Sequence, residues 1–221
     1  MPDSTWIKNE EESKTEGKIS NWIKQNRNTV FSLLGIIVIA IVIVIMVLVN
    51  LSKNRETAEK YFFIAKQYYI AGNIDKAIEQ IETIEKNFQN YPTYDFALLL
   101  KGDIYYSIGN YAKAIEEYEK AVQKIKNKDL IPFLLYSLSK SYQALKNYDR
   151  AIAMFKEFIE KYPDHYLTPD IYLSLAISYE NKGEKESAKE TYQKIIVLYP
   201  HTNWEALSKE ALKKYEAKNK K

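Results

Sequence analysis

The chain has 221 residues, a net charge of +3 from 32 Lys and Arg against 29 Asp and Glu, and no cysteine. Without a dense basic cluster the composition argues against nucleic acid as a partner. Without cysteine it excludes disulfides, thiolate metal sites, a cysteine nucleophile and an acylated-cysteine lipid anchor. Only 6 Gly and 6 Pro argue against a loop-rich all-β chain, and tyrosine is unusually common at 19 residues.

Residues 1–29 form a polar, basic N-terminal tail. Its first part, with TWIKNEEESKTEG, is too polar to bury a core and reads as disordered. In KISNWIKQNR, Ile19, Trp22 and Ile23 share a helix face among Lys18, Lys24 and Arg27. That pattern suits a short interfacial helix with Trp22 at headgroup depth, and a disordered juxtamembrane segment accounts for it equally well. Residues 30–51 are 22 uncharged residues, mostly Ile, Val and Leu. As a helix this run is roughly 33 Å long at about 1.5 Å per residue, enough for the ~30 Å hydrocarbon core. It exceeds the about 7–15 apolar residues of a signal peptide, and Val49-Asn50-Leu51-Ser52-Lys53 makes a poor cleavage site. We therefore expect an uncleaved anchor through residues 30–51 with the lipid bilayer as its partner. It has no small-xxx-small pair to favour dimerisation. Residues 52–56 are expected to be a linker. Lys53, Arg55 and Lys60 nearly balance the basic residues before the anchor. We read the tail as inside and the larger C-terminal part as translocated.

Beyond residue 56 the chain repeats. SIGNYAKAIEEYEKAV has counterparts beginning at Ala71, Leu145 and Lys182, and a small residue recurs at Ala77, Ala114, Ala151 and Ala188, each 37 residues apart. Each copy follows a second amphipathic segment. Tyr68, Tyr105, Tyr142 and Tyr179 share one position there, and Ala65, Gly102, Ser139 and Ala176 share another that is always small. A small residue on each of two helices lets their backbones approach closely. Each unit is therefore expected to be an antiparallel pair, helix A then helix B. Gly72, Gly109 and Gly183 would end helix A in the left-handed conformation. Asn73, Asn110 and Asn147 would cap helix B.

This pattern resembles the tetratricopeptide repeat. The large, large, small and aromatic positions of that family's first helix fall on Tyr61, Ile64, Ala65 and Tyr68, and in the fourth unit on Tyr172, Leu175, Ala176 and Tyr179. The family's closing proline falls on Pro163 and Pro200. The departures are a period of 37 rather than about 34, Lys101 in place of an apolar residue, Lys146 in place of the turn Gly, and Ile81 in place of an aromatic. The resemblance implies a right-handed α-solenoid of four helix pairs at about 57–93, 94–130, 131–167 and 168–200, which with the single N-terminal transmembrane helix expected from hydropathy makes the fold all-α. A C-terminal capping helix and basic tail occupy 201–221, with Trp204, Leu207, Ala211 and Tyr215 covering the last unit.

In this fold helix A lines the concave face. Carried over by position, the candidate groove residues are Phe62, Lys66 and Tyr69; Phe96, Leu99, Asp103 and Tyr106; and Phe133, Tyr136 and Lys140. An apolar groove flanked by charge suits a helix or extended segment of another protein. The same side chains also suit packing between neighbouring helices, or self-association. Only Lys66 and Lys140 resemble the family's clamp for a terminal carboxylate, so that mode is not expected. His165 and His201 lack partners at metal spacing, no glycine-rich phosphate loop occurs, and Glu79, Glu116 and Glu117 read as solvated. No enzyme activity, cofactor or metal is expected.

The layout of short tail, single anchor and repeats is similar to the YfgM-type proteins ancillary to the SecYEG translocon. That resemblance implies a bacterial inner-membrane protein with a cytoplasmic N-terminus and periplasmic repeats. Its implied role is a chaperone-like scaffold whose partners are the secretion channel, periplasmic chaperones or envelope assembly proteins. An assembly factor for outer-membrane or cell-wall machinery, resembling the BamD or CpoB type, is the alternative.

Overall fold

The computed structural model describes Lys18 and residues 21–218. The expectations for residues 1–17, for the Ile19 part of the interfacial face and for the last basic residues lie outside the described residues. The contacts divide the chain after Asn54, and each part is described by itself.

In the first part, residues 21–25 are helical, and the Asn26 N–H donates to the Trp22 carbonyl at 2.9 Å. Helix α1, Arg27–Ile70, follows; residues 52–56, expected as a linker, are helical within it. Its N-terminal stretch is long and apolar enough to cross a membrane, and none of that apolar stretch is buried within the protein. A soluble helix hides one stripe against a core, whereas this one is apolar all round.

The second part begins at Arg55 and contains the last turns of α1, then α2 (Ile74–Asn87), α3 (Thr93–Ser107), α4 (Tyr111–Lys124), α5 (Ile131–Ala144), α6 (Tyr148–Lys161), α7 (Thr168–Lys182), α8 (Lys185–Leu198) and α9 (Asn203–Lys218). From α2 onward, helices adjacent in sequence pack together, and α3–α5, α5–α7 and α7–α9 also touch. That is the arrangement of a solenoid whose A helices stand side by side on the inner face. The A helices α3 and α7 are wedged between neighbours and are apolar on several sides. The B helices α2, α4 and α6 have one apolar stripe and a charged outer face.

The small residues of the repeat meet at the core. Ala65, Ala77, Ala114, Ala151, Ser139, Ala176 and Ala188 are completely buried. Around them lie two apolar clusters, one holding Ile81, Ile84, Ile104 and Tyr118, the other Phe155, Phe158, Ile171, Tyr192 and Ile195. Burying each such large side chain contributes about 1.5–3 kcal/mol.

The A-to-B turns repeat atom for atom. Gly72 N–H bonds to Tyr69 O at 3.0 Å and Asn73 N–H to Tyr68 O at 2.8 Å. The same two bonds recur at Gly109 and Asn110, at Lys146 and Asn147, and at Gly183 and Glu184. This is the Schellman pattern, which puts the residue after the helix in the left-handed region. Gly72, Gly109 and Gly183 have φ of 76°, 77° and 93°, and Lys146 is forced to 64°. Asn73, Asn110 and Asn147 each accept a bond from the backbone N–H three residues on, whereas Glu184 makes no such side-chain cap.

The residues added to the period sit in the B-to-A connections, where they are organised. Asp95, nearly buried on α3, accepts the N–H groups of Lys126 and Asn127 at 3.0 and 2.7 Å. Lys126 Nζ reaches back to the Gln89 carbonyl at 3.0 Å, tying one connection to the previous one. Pro132 and Pro169 occupy the first turns of α5 and α7, where no helical N–H is lost.

The cap differs in one residue from expectation. Trp204, Ala211, Leu212 and Tyr215 pack against the second cluster and Ser208 is fully buried, but Leu207 stays 40% exposed. The buried stripe runs 204, 208, 211, 212 and 215, which leaves residue 207 at its edge.

Candidate protein-binding groove

Five of the ten candidate residues converge. Tyr69 from α1, Asp103 and Tyr106 from α3, and Tyr136 and Lys140 from α5 line one open cavity of about 280 Å³. Ser107, Ser137 and Tyr118 complete its wall. The side chains meet because positions 69, 106, 103 and 140 are the inward-facing positions near the C-terminal ends of consecutive A helices.

Three others form a separate group. The rings of Phe62 and Phe96 are 6.4 Å apart, and Lys66 Nζ lies 5.9 Å from the Phe62 centroid. Leu99 is half-buried against the first core cluster. Phe133 is occupied elsewhere: its ring meets His165 edge-on at 5.6 Å and Tyr166 at 6.0 Å. His165 also stacks on Tyr166 at 4.7 Å, and its Nδ1 accepts the Leu167 N–H at 3.2 Å. That ring therefore braces a connection.

The floor of the cavity comes from a B helix. Tyr118 on α4 lies directly over Gly102, so that a Cβ at residue 102 would collide with its ring. Its hydroxyl donates to Asp103 Oδ1 at 2.5 Å. Burial raises the Asp103 carboxyl above the usual range, against the opposing hydrogen bonds from Tyr118 and Ser137. The Tyr118 phenol is raised too, by burial first and then by the Asp103 charge and its hydrogen bond. Sequence reading missed Tyr118, since B helices in this fold normally face outward. The pairing of Gly102 with a tyrosine sixteen residues on was the available signal, because Gly is the smallest residue at that A-helix position.

Toward α7 the inner face is held by polar bonds. Tyr136 OH donates to Asp170 at 2.9 Å, Lys140 Nζ to Ser174 Oγ at 3.0 Å, and Gln143 Nε2 to Ser178 Oγ at 2.9 Å. Burial, then the Asp170 charge, raises the Tyr136 phenol.

A buried ion cluster lies away from the cavity. Lys101 on α3 is within 3.6 Å of Glu82, 3.2 Å of Glu85 and 3.7 Å of Glu117. Glu79 and Glu116 are exposed as expected, but Glu117 is only 5% exposed. Its equivalents Gln80, Met154 and Thr191 are also covered at least in part, so the position faces inward and the solvated reading of Glu117 is corrected. Burial alone would lower the Lys101 pKa; the charges of Glu85 and Glu117, the Glu85 hydrogen bond and Glu82 outweigh it and raise it. Among the described residues no group of three or more His, Cys, Asp or Glu side chains is placed to hold a metal ion.

Two tetratricopeptide repeat models match the chain, one over residues 64–129 and the other over 134–165 and 170–202, together more than half of it. No curated protein sequence matches. Among solved structures, MamA from Desulfovibrio magneticus RS-1 superposes with a TM-score of 0.55 at 19% identity, covering 66% of this chain and 77% of that one. The apo form of RapI gives 0.61 at 18%, over 71% and 47% of the two chains. The Cut9–Hcn1 hetero-tetramer of APC/C gives 0.54 at 21%, over 70% and 29%. These similarities are of fold. Repeats of this kind act as scaffolds for protein–protein interaction and are typically non-catalytic. On the sequence matches and the repeated helix pairs, the chain belongs to the tetratricopeptide repeat family.

Proposed function

We propose that the chain is a membrane-anchored adaptor whose inner face receives a segment of another protein. One observation carries this reading: aromatic side chains of α1, α3 and α5 surround an open cavity of about 280 Å³ on the A-helix face. Extended or helical apolar segments bind in such grooves by filling pockets with alternate side chains. The uncharged residues 30–51 anchor it in a bacterial inner membrane, with the tail cytoplasmic and the repeats periplasmic. There it gives chaperone-like support to secreted or envelope proteins at the translocon. Its layout and the absence of a cysteine for lipidation support this finer reading.

The test is photo-crosslinking in intact membranes from Tyr69 and Tyr106. The expected products are the secretion channel, emerging chains or periplasmic chaperones. Crosslinks confined to outer-membrane or cell-wall assembly proteins would move the chain to an assembly role. Protease digestion before and after opening the outer membrane reads topology: residues 57–221 cut only from the cytoplasmic side would sink the orientation.

A further inference from the structure

We propose that the cavity between Tyr69, Tyr106 and Tyr136 takes one Lys or Arg side chain of a protein segment lying along the inner face, with Asp103 as its counter-ion. This rests on the protein-binding reading above and names the chemistry of its specificity pocket. The cavity, at about 280 Å³, falls below the roughly 300–1,000 Å³ of small-molecule clefts and suits a single long side chain.

Its walls are built before any ligand arrives, from four helices. Asp103 is fixed by the Tyr118 hydroxyl, and Tyr118 is fixed by its seat on Gly102. Among the described residues no lysine or arginine pairs with Asp103, and burial raises its carboxyl; this is a desolvated carboxylate without a counter-ion. Lys140, at the cavity wall, is already engaged, 3.0 Å from Ser174 Oγ and 4.0 Å from Asp170. It also lies 5.9 Å from the Tyr136 centroid, so one phenol ring of this wall already meets an ammonium group. Of the two charged residues that line the cavity, Lys140 is engaged by Asp170 beyond the wall, which leaves the Asp103 charge without a partner inside it. Phenol faces attract cations most when water is excluded. An acidic side chain would be repelled, and an apolar one would bury Asp103 further without a partner.

The probes are peptides of twelve residues, leucine-rich, with one central Lys, Arg, norleucine or Glu, titrated onto the full chain in detergent micelles. Lys and Arg peptides should bind on the order of tenfold tighter than norleucine. Asp103→Asn, which keeps an oxygen for the Tyr118 hydroxyl, should abolish that preference, because the Lys and Arg peptides lose their counter-ion and the norleucine peptide no longer buries an unpaired carboxylate. Should that variant misfold, Tyr106→Leu should reduce the same preference. Equal affinities for Lys and norleucine peptides overturn the cation pocket and leave the groove reading standing. A second arm separates the two readings. With the chain labelled with 3-fluorotyrosine, n-butylammonium should shift the ¹⁹F resonances assigned to Tyr69 and Tyr106, and 1-pentanol should not. That result with no peptide binding keeps the pocket and overturns the groove; no selectivity between the two small probes overturns the pocket.

Discussion

Lys101 Nζ stands 3.2 Å from Glu85 Oε1 and 3.7 Å from Glu117 Oε2, with its own side chain only 9% exposed. A lysine at an apolar position of the repeat is thus held by carboxylates from the B helices on either side of it. Removing one partner of a buried cluster leaves uncompensated charge. Lys101→Ala should lower unfolding stability by about 3 kcal/mol, and Lys101→Met combined with Glu85→Gln and Glu117→Gln should recover most of it. Urea unfolding of the full chain in micelles measures both. Because the Lys101 pKa is raised on folding, its contribution is complete below the ordinary lysine value and disappears as pH rises through the folded value. The Lys101 dependence should therefore fade only in alkali.

Lys146 sits at φ 64° in a turn where the other units use glycine at 72, 109 and 183. A side chain there costs about 1–2 kcal/mol, partly offset by the looser unfolded state of glycine. Lys146→Gly should raise stability by about 0.5–1 kcal/mol. A lowered denaturation midpoint would show that the Lys146 side chain stabilises the turn in some other way.

Gly102 lies beneath Tyr118 with no room for a Cβ. Gly102→Ala should cost about 1–3 kcal/mol, the usual range for overpacking. It should also displace the Tyr118 hydroxyl from Asp103. Ultraviolet titration of the phenols reports the displacement, since the Tyr118 phenol should fall back toward the ordinary tyrosine value.

Asp103 has its carboxyl raised on folding by burial. The folded state then holds its proton to higher pH than the unfolded chain does. Stability is full below the unfolded aspartate value and is lost as pH rises through the folded value. Asp103→Asn escapes that loss, so the variant should gain on the wild type as pH rises above about 4 and level off past the folded value. Thermal melts of both proteins between weakly acidic and neutral pH test this; parallel curves would sink it.

The repeat was legible because its constraints are local. Ala77, Ala114, Ala151 and Ala188 mark where two backbones approach, and Gly72, Gly109 and Gly183 mark where a chain must reverse, so both appear at fixed spacing. Contacts between units leave no such mark. Asp95 binds the backbone of Lys126 and Asn127 from 31 and 32 residues away, and nothing near it in sequence announces the partner. Lys101 stood out as an anomaly, yet Glu117 read as a surface residue until its equivalents Met154 and Thr191 were seen to face inward. The candidate groove shows the same division. Tyr69, Asp103, Tyr106, Tyr136 and Lys140 follow from helix-A register and meet in one cavity. Phe133 shares that register but is taken up by His165, and Tyr118 enters the cavity from the other helix.

The bonds from Tyr136 to Asp170, Lys140 to Ser174 and Gln143 to Ser178 give the inner face two unlike ends. Near Phe62 and Phe96 it is joined by ring contacts, which slide and turn at little cost. Near α7 every rearrangement must exchange one hydrogen bond for another. A segment bound there as proposed would be accommodated by wetting and area at the first end, and at the second by donor and acceptor match. A sequence read along this surface would be scored leniently where it enters beside α1 and strictly where it reaches α7.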